Sequence, residues 1–432
     1  MLPRFEIVHR TRPVDLVRPG SDLSRPVAPY VAVTAGLTGP GPASVSLGGG
    51  HTELTASLDD DGLALRIITG STTTDHRSRR FARPEGEVAG LALSLTATHV
   101  VGYTREGDRW RVRARFDLHE RFDPHDEAWL AQLRESSSGA ATDVRAGLFG
   151  QLGLRDLRLV TRADGTPYRE GRAHLLSATS AGPGAFATGH ASVWSLDAGS
   201  FALEHRADLF FRRPDRPGVY GDHACHLVRD DDRWLVATST WGDFDKRRTE
   251  HEVAATLAET TDDITRGTHV LDTRRLALPT TGLSSVGVWD PYLVRTDEGW
   301  LVGYVSARKY FRFHPVLAAG PDLDSLEVRG ASARRRATEG TTLTRIGGRW
   351  RLLASDGRDG RRKQNTRFPI FDLDLREVGA LDAPYPSNIP WPTLLEHDGG
   401  WLLICFDGAR YGGRLVGYGS HGDVVIAATG PG

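Results

Sequence analysis

The sequence predicts an all-β chain, an N-terminal β-sandwich followed by a five-bladed β-propeller. Three observations carry this expectation. Apolar and polar residues alternate through the first third, as in strands with one buried face. A hairpin-like pattern recurs five times in the remainder. The 49 glycines and 23 prolines among 432 residues suit many tight turns and few long helices.

A chain of this length exceeds one ordinary core, and the change of texture near residue 148 divides it into residues 1–145 and 146–432. Residues 1–50 are rich in Pro, Gly and Ser and read as edge strands and loops. From Glu53 the alternation runs ELTASL, LALRIITG, LALSLTATHVVGYTR and RWRVRARFDL, with turns at DDDG (59–62) and REGDR (105–109). Residues 123–136, DPHDEAWLAQLRES, are the best helix candidate. Asp123 stands as N-cap, Pro124 in the first turn, and Trp129, Leu130 and Leu133 on one side. Residues 136–141, SSSGAA, read as a linker. Residues 251–264 are ambiguous between an outer strand and a short helix.

The five copies share an entrance residue, a strand, a polar turn and a second strand. They contain GLRDLRLV with Asp156, GDHACHLVRDDDRWLVATS with Asp222, WDPYLVRTDEGWLVGYVSA with Asp290, TEGTTLTRIGGRWRLLASDG with Glu339, and IPWPTLLEHDGGWLLICFDG, where Trp391 stands in the acid's place. Asp290 lies ten before Trp300 and Trp391 ten before Trp401; Gly340, next to Glu339, lies ten before Trp350. Asp222 lies twelve before Trp234, which a longer turn would explain. In a propeller, equivalent starts of the innermost strands ring one end of the channel, so acids far apart in sequence gather in space.

Composition excludes several classes. With 54 basic and 55 acidic residues there is no surplus to attract nucleic acid or an anionic membrane. No run approaches the roughly 18 apolar residues of a membrane helix, and the first twenty residues hold no apolar secretion segment, so the expected location is cytoplasmic. Cys225 and Cys405 lie in apolar runs and read as buried thiols. The histidines give no closed zinc signature, and no phosphate loop or nucleophile elbow is present, so no cofactor is expected. Nothing fixes an oligomeric state.

The chemistry on offer is carboxylate chemistry. Glycoside hydrolysis needs one carboxylic acid to protonate the leaving oxygen and one carboxylate to activate water. Crowded carboxylates raise one another's pKa and keep one group protonated near neutrality. The second to fourth copies resemble the first three blades of the five-bladed propeller glycosidases, above all glycoside hydrolase family 43. The resemblance implies Asp222 as general base, Asp290 as the residue that tunes the acid, and Glu339 as general acid of an inverting enzyme. It departs from the family at His223, where Pro is usual, and at EGT in place of EGP. If the first copy is the true first blade, the base is Asp156. The resemblance also allows a calcium or other ion on the axis. Residues 88–118 are similar to the concanavalin-like sandwich that accompanies some family 43 xylosidases and arabinofuranosidases; a loop at 70–85 from such a domain either reaches the pocket or stays solvated.

Sugars stack on aromatic faces. Trp241, Trp289, Tyr310 and Trp391 lie near the hairpin mouths, with Trp241 and Trp391 as the best platforms and packing between blades as the alternative. His223, with His190, His226 and His314, is placed to line the channel, and Arg308 is a candidate clamp for a substrate hydroxyl or carboxylate. The resemblance implies cleavage of arabinofuranosides or xylosides; the alternatives are non-hydrolytic chemistry on a small glycoside or secondary metabolite, and sugar binding without catalysis, and the expected partner is a small molecule or an oligosaccharide.

Overall fold

A computed structural model describes residues 2–430 except 246, 248–251, 358, 360–365 and 418–419. The chain is an all-β sandwich and propeller. Two sheets form the sandwich. One has six strands in the order Arg109–Asp117, His99–Glu106, Val88–Thr96, Tyr30–Leu37, Ala141–Gln151 and Asp15–Val17. The other has five, from Arg134–Gly139 through Ala43–Gly49, Thr52–Asp59 and Gly62–Thr69 to Thr72–Arg77. The alternating residues Val31, Val33, Leu47, Leu54, Leu63, Leu91 and Leu93 fill the space between them.

Two local expectations fail here. Residues 123–136 hold a single helical turn, Glu127–Leu130, capped by Asp126, whose carboxylate accepts from the Ala128 N–H at 2.9 Å. Asp123 instead accepts from the His125 N–H at 3.0 Å one turn earlier. The serine-rich stretch is no linker: Arg134–Gly139 is an edge strand paired with Ala43–Gly49. Ladder hydrogen bonds decide its conformation, and its side chains stay in water.

Five further sheets form the blades. Their innermost strands are Leu154–Leu159, His223–Asp230, Val288–Thr296, Thr338–Ile346 and Thr393–His397. The last sheet continues through Gly400–Arg410 and His421–Thr429 to Phe5–Thr11, so the first strand of the chain completes the last blade. Strand Ala141–Gln151, across the expected division at 145, belongs to the sandwich sheet. The segment left ambiguous contains strand Ala255–Thr260 of the second blade; His251 lies outside the described residues.

A buried polar joint fixes the sandwich to the first blade. Arg18 donates to Asp208 at 2.8 and 3.1 Å and to Gln151 at 2.7 Å, and His190 meets Asp208 at 2.9 Å. Burial alone would raise the Asp208 pKa, but Arg18 and the histidines hold it well below the carboxylate range. The Tyr30 hydroxyl donates to the Ala187 carbonyl at 2.6 Å, and its ring sits where a side chain on Gly221 would collide, 2.3 Å from the Cβ position. Cys225 and Cys405 are free and buried, which pushes both thiols up to about 12. Among the described residues no helix is long and apolar enough to cross a membrane.

Candidate active site

Four of the five innermost strands begin with the same backbone device. A register shift interrupts the ladder, and the residue at the shift has a left-handed backbone: Asp156 (φ 55°), Ala224 (φ 62°), Asp290 (φ 58°) and Gly340 (φ 71°). Non-glycine residues with such φ values are uncommon, and Asp tolerates them better than most. Equivalent positions in the blades are therefore Asp156, Ala224, Asp290 and Gly340. One place earlier stand Arg155, His223, Trp289 and Glu339.

This register separates the sequence candidates. Asp156, Asp290 and Glu339 act on one another electrostatically at the centre of the ring. Asp222 does not join them. It lies two places before Ala224, fully buried, and accepts from Arg213 through both oxygens, at 2.8 Å to Nε and more closely to Nη2, and from the Gly242 N–H at 2.9 Å. Three hydrogen bonds thus tie its two oxygens to the scaffold. Asp222, the base the resemblance implied, therefore stands apart from the trio. The ten-residue interval that locates Asp290 and Trp391 gives Ala224 when counted back from Trp234, and no exception for a longer turn is needed. Asp222→Asn is expected to lower stability by about 3 kcal/mol, because Arg213 loses its buried partner, while turnover per folded molecule stays within a few-fold of wild type. Chemical denaturation alongside kinetics would check this; a large loss of turnover without loss of stability would restore Asp222 to the chemistry.

A buried cation underlies the three carboxyls. Arg158, fully enclosed, donates to the carbonyls of Asp290 at 2.9 Å, Thr341 at 3.3 Å and, more closely, Pro291. Its guanidinium lies 4.5 Å from the ring centre of Trp391 and 5.3 Å from that of Tyr292. One side chain from the first blade thereby ties together the third, fourth and fifth. Among the described residues no group of three or more His, Cys, Asp or Glu is placed to hold a metal.

A cavity of about 1130 Å³ opens between the sandwich and the propeller, and Glu339 is the carboxyl of the trio that borders it. Burial and the nearby charge of Asp156 push Glu339 up to about 8, against the pull of Trp289 and Arg155. Burial and Glu339 raise Asp290 well above the carboxylate range, against Arg158. Burial raises Asp156 too, opposed by Arg155, at 3.3 Å, and by Thr179, whose hydroxyl donates at 2.7 Å. Asp156 keeps 11 % of its side-chain surface accessible, enough for a water to touch it, whereas Asp290 is almost wholly enclosed.

The other candidates divide likewise. Trp241 and Trp289 line the cavity. Trp391 does not; it packs between Arg158 and Gly340, where an added Cβ would come within 2.3 Å of the indole. His223 is buried below the cavity and donates from Nε2 to the Phe186 carbonyl at 3.0 Å, and burial keeps it neutral. Arg308 is exposed and does not line the cavity; its neighbours Tyr310, Phe311 and Phe313 do. The sandwich contributes Thr98, His99, Arg115 and Asp117 to the wall, not the loop at 70–85. Sequence reasoning missed Arg158 and Phe186. Arg158 had a signal, an arginine two places beyond an entrance acid and flanked by Leu157 and Leu159.

No family model matches the chain, and no curated protein matches it. Among solved structures, the chain is similar to an inulosucrase from Halalkalicoccus jeotgali bound to kestose, with 14 % identity, TM-score 0.47, and 65 % of this chain and 85 % of that one covered. A family 117 glycoside hydrolase from the marine bacterium Zobellia galactanivorans gives 9 % identity, TM-score 0.46, and coverage of 64 % and 84 %. The GH43_1 enzyme from Xanthomonas citri complexed with xylotriose gives 14 % identity, TM-score 0.44, and coverage of 64 % and 87 %. Likeness at this level carries nothing about chemistry, which has to come from the residues.

Proposed function

We propose that the protein is a glycoside hydrolase in which Glu339 is the general acid and Asp156 the general base, whose charge also helps to keep Glu339 protonated, with Asp290 a buried carboxyl beside them. The observation that carries this reading is the Glu339 carboxyl at the cavity wall, pushed up to about 8 by burial and by its acidic neighbour. A carboxylic acid that keeps its proton at neutral pH is what protonation of a glycosidic oxygen requires. In the proposed step, water bonds to the anomeric carbon as the bond from that carbon to the leaving oxygen breaks. Asp156 takes the proton of the water, and Glu339 gives its proton to the leaving oxygen. The family resemblance favours arabinofuranosides or xylosides and inversion of configuration.

The test is a panel of aryl α-L-arabinofuranosides and β-D-xylosides, with the first-formed anomer read by NMR. The inverted anomer is expected, together with a fall of about 10²–10⁴-fold in turnover for Asp156→Asn. A retained anomer would make one carboxylate a nucleophile instead, with the pair about 5 Å apart. Undiminished turnover of Asp156→Asn would remove it from the chemistry.

A further inference from the structure

We infer that the leaving-group side of this cavity takes a planar, largely apolar group, an aryl or fused-ring aglycone rather than a second sugar. The inference rests on the hydrolase reading for the bond that is broken, but not for the binding itself.

A continuous path of aromatic rings leads from the rim of the cavity to the acid. It starts at Phe311, 52 % exposed at the tip of the hairpin between Gly299–Lys309 and Arg312–Gly320. Phe311 has a φ of 65°, a conformation that Gly or Asn adopts far more readily at such a tip. A large apolar residue there is both strained and wetted, and an observed outlier of this kind is a reason to look for function. Its ring faces Phe186 at 6.2 Å and 30°. Phe186 stacks on Trp241 at 4.8 Å and 21°, and Trp241 meets Trp289 at 5.3 Å. Trp289 is the ring beside Glu339, and it lies parallel to Tyr310 within 9° at 6.4 Å. Phe244 closes the group, 5.0 Å from Trp241 and 4.9 Å from Tyr310. These rings come from three blades and all line the same cavity.

Charged groups line the wall from two sides: the sandwich supplies Arg115 and Asp117, and the loop that carries Trp241 and Phe244 supplies Asp243, Asp245 and Arg247. At the rim, Phe311 and Phe186 carry no side-chain hydrogen-bonding group, so a second sugar laid against them gains only the stacking of its C–H face, and its hydroxyls find no partner on these two rings. A flat apolar group meets the reverse situation: its faces match the rings, and it has no rim to satisfy.

Calorimetric titration tests this without turnover. The probes are 2-naphthol for the planar ligand and xylobiose and arabinobiose for sugars, on wild type, Phe311→Ala and Phe186→Ala. Naphthol is expected to bind at least about tenfold more tightly than either disaccharide, and Phe311→Ala to weaken naphthol about fivefold or more. Because Phe311 is at an exposed tip, its variant is expected to melt like wild type, so lost binding there would not reflect unfolding. Disaccharides binding as tightly as naphthol, or naphthol binding unchanged in both variants, would overturn the inference. Naphthol binding as expected, with no aryl glycoside hydrolysed, would sink the hydrolase reading and leave the ligand class standing. Hydrolysis of oligosaccharides with naphthol unbound would do the opposite.

Discussion

Glu339→Gln is expected to lower turnover by about 10²–10⁴-fold on glycosides with poor leaving groups, and far less on activated aryl glycosides that need no proton. Equal loss on both substrate classes would argue against an acid role. The wild-type rate should fall as pH rises through about 8, where Glu339 loses its proton. Stability follows the same group. Its folded pKa is raised above the unfolded carboxylate value near 4.3, so the folded state binds the extra proton between those two pH values. Stability is therefore greatest below the unfolded value and declines as pH rises toward about 8. The glutamine variant lacks this titration, so its melting temperature should change less between pH 5 and pH 9 than that of wild type. Parallel curves for the two proteins would mean that Glu339 titrates normally.

Arg158→Met should produce the largest loss of stability, on the order of 3–5 kcal/mol, because it removes a buried cation from beside carboxyls and carbonyls that stay behind. Denaturant unfolding would measure it. Arg158→Lys keeps the charge but not the planar fork that reaches the carbonyls of Asp290, Pro291 and Thr341 together, so an intermediate loss is expected. Arg158 lowers the pKa of Asp156 and Asp290, so without it both hold their protons more tightly, and whatever activity remains should have its acidic limb, where Asp156 takes up a proton, above that of wild type. A limb that does not move would restrict Arg158 to a packing role.

The fold was legible because it is written in local patterns that repeat: alternation for the sandwich, one hairpin for the blades. The position of Asp290 was legible for the same reason, ten places before a core tryptophan, whereas Glu339 stands one place before the offset position, Gly340, and was marked only as the adjacent acid. The choice of Asp222 came from preferring an acid to the offset; the side chain at the offset position, Ala224, carries no charge to attract notice. What pairs with Asp222 is Arg213, at the end of strand Leu203–Arg213 in another sheet, and neither residue's sequence context announces the other. The cavity was harder still. Its walls come from loops of separate blades and from the face of the sandwich, and only packing of the two units brings Trp241, Glu339 and Asp117 around one space. The one-turn helix and the serine-rich strand were misread because sheet pairing overrode local propensity.

The partnership of Phe5–Thr11 with His421–Thr429 joins residues more than 400 positions apart. During synthesis, strand 5–11 is made more than 400 residues before its partner and must wait, unpaired, until strand 421–429 leaves the ribosome. The sandwich lies between the two halves of that blade and can dock on the first blade long before the ring shuts. In this interval the strand is free to pair with the last blade of a neighbouring molecule, and exchange of an identical element is a short route to a dimer. Production at high chain concentration should therefore yield strand-exchanged dimers, and slower synthesis fewer of them.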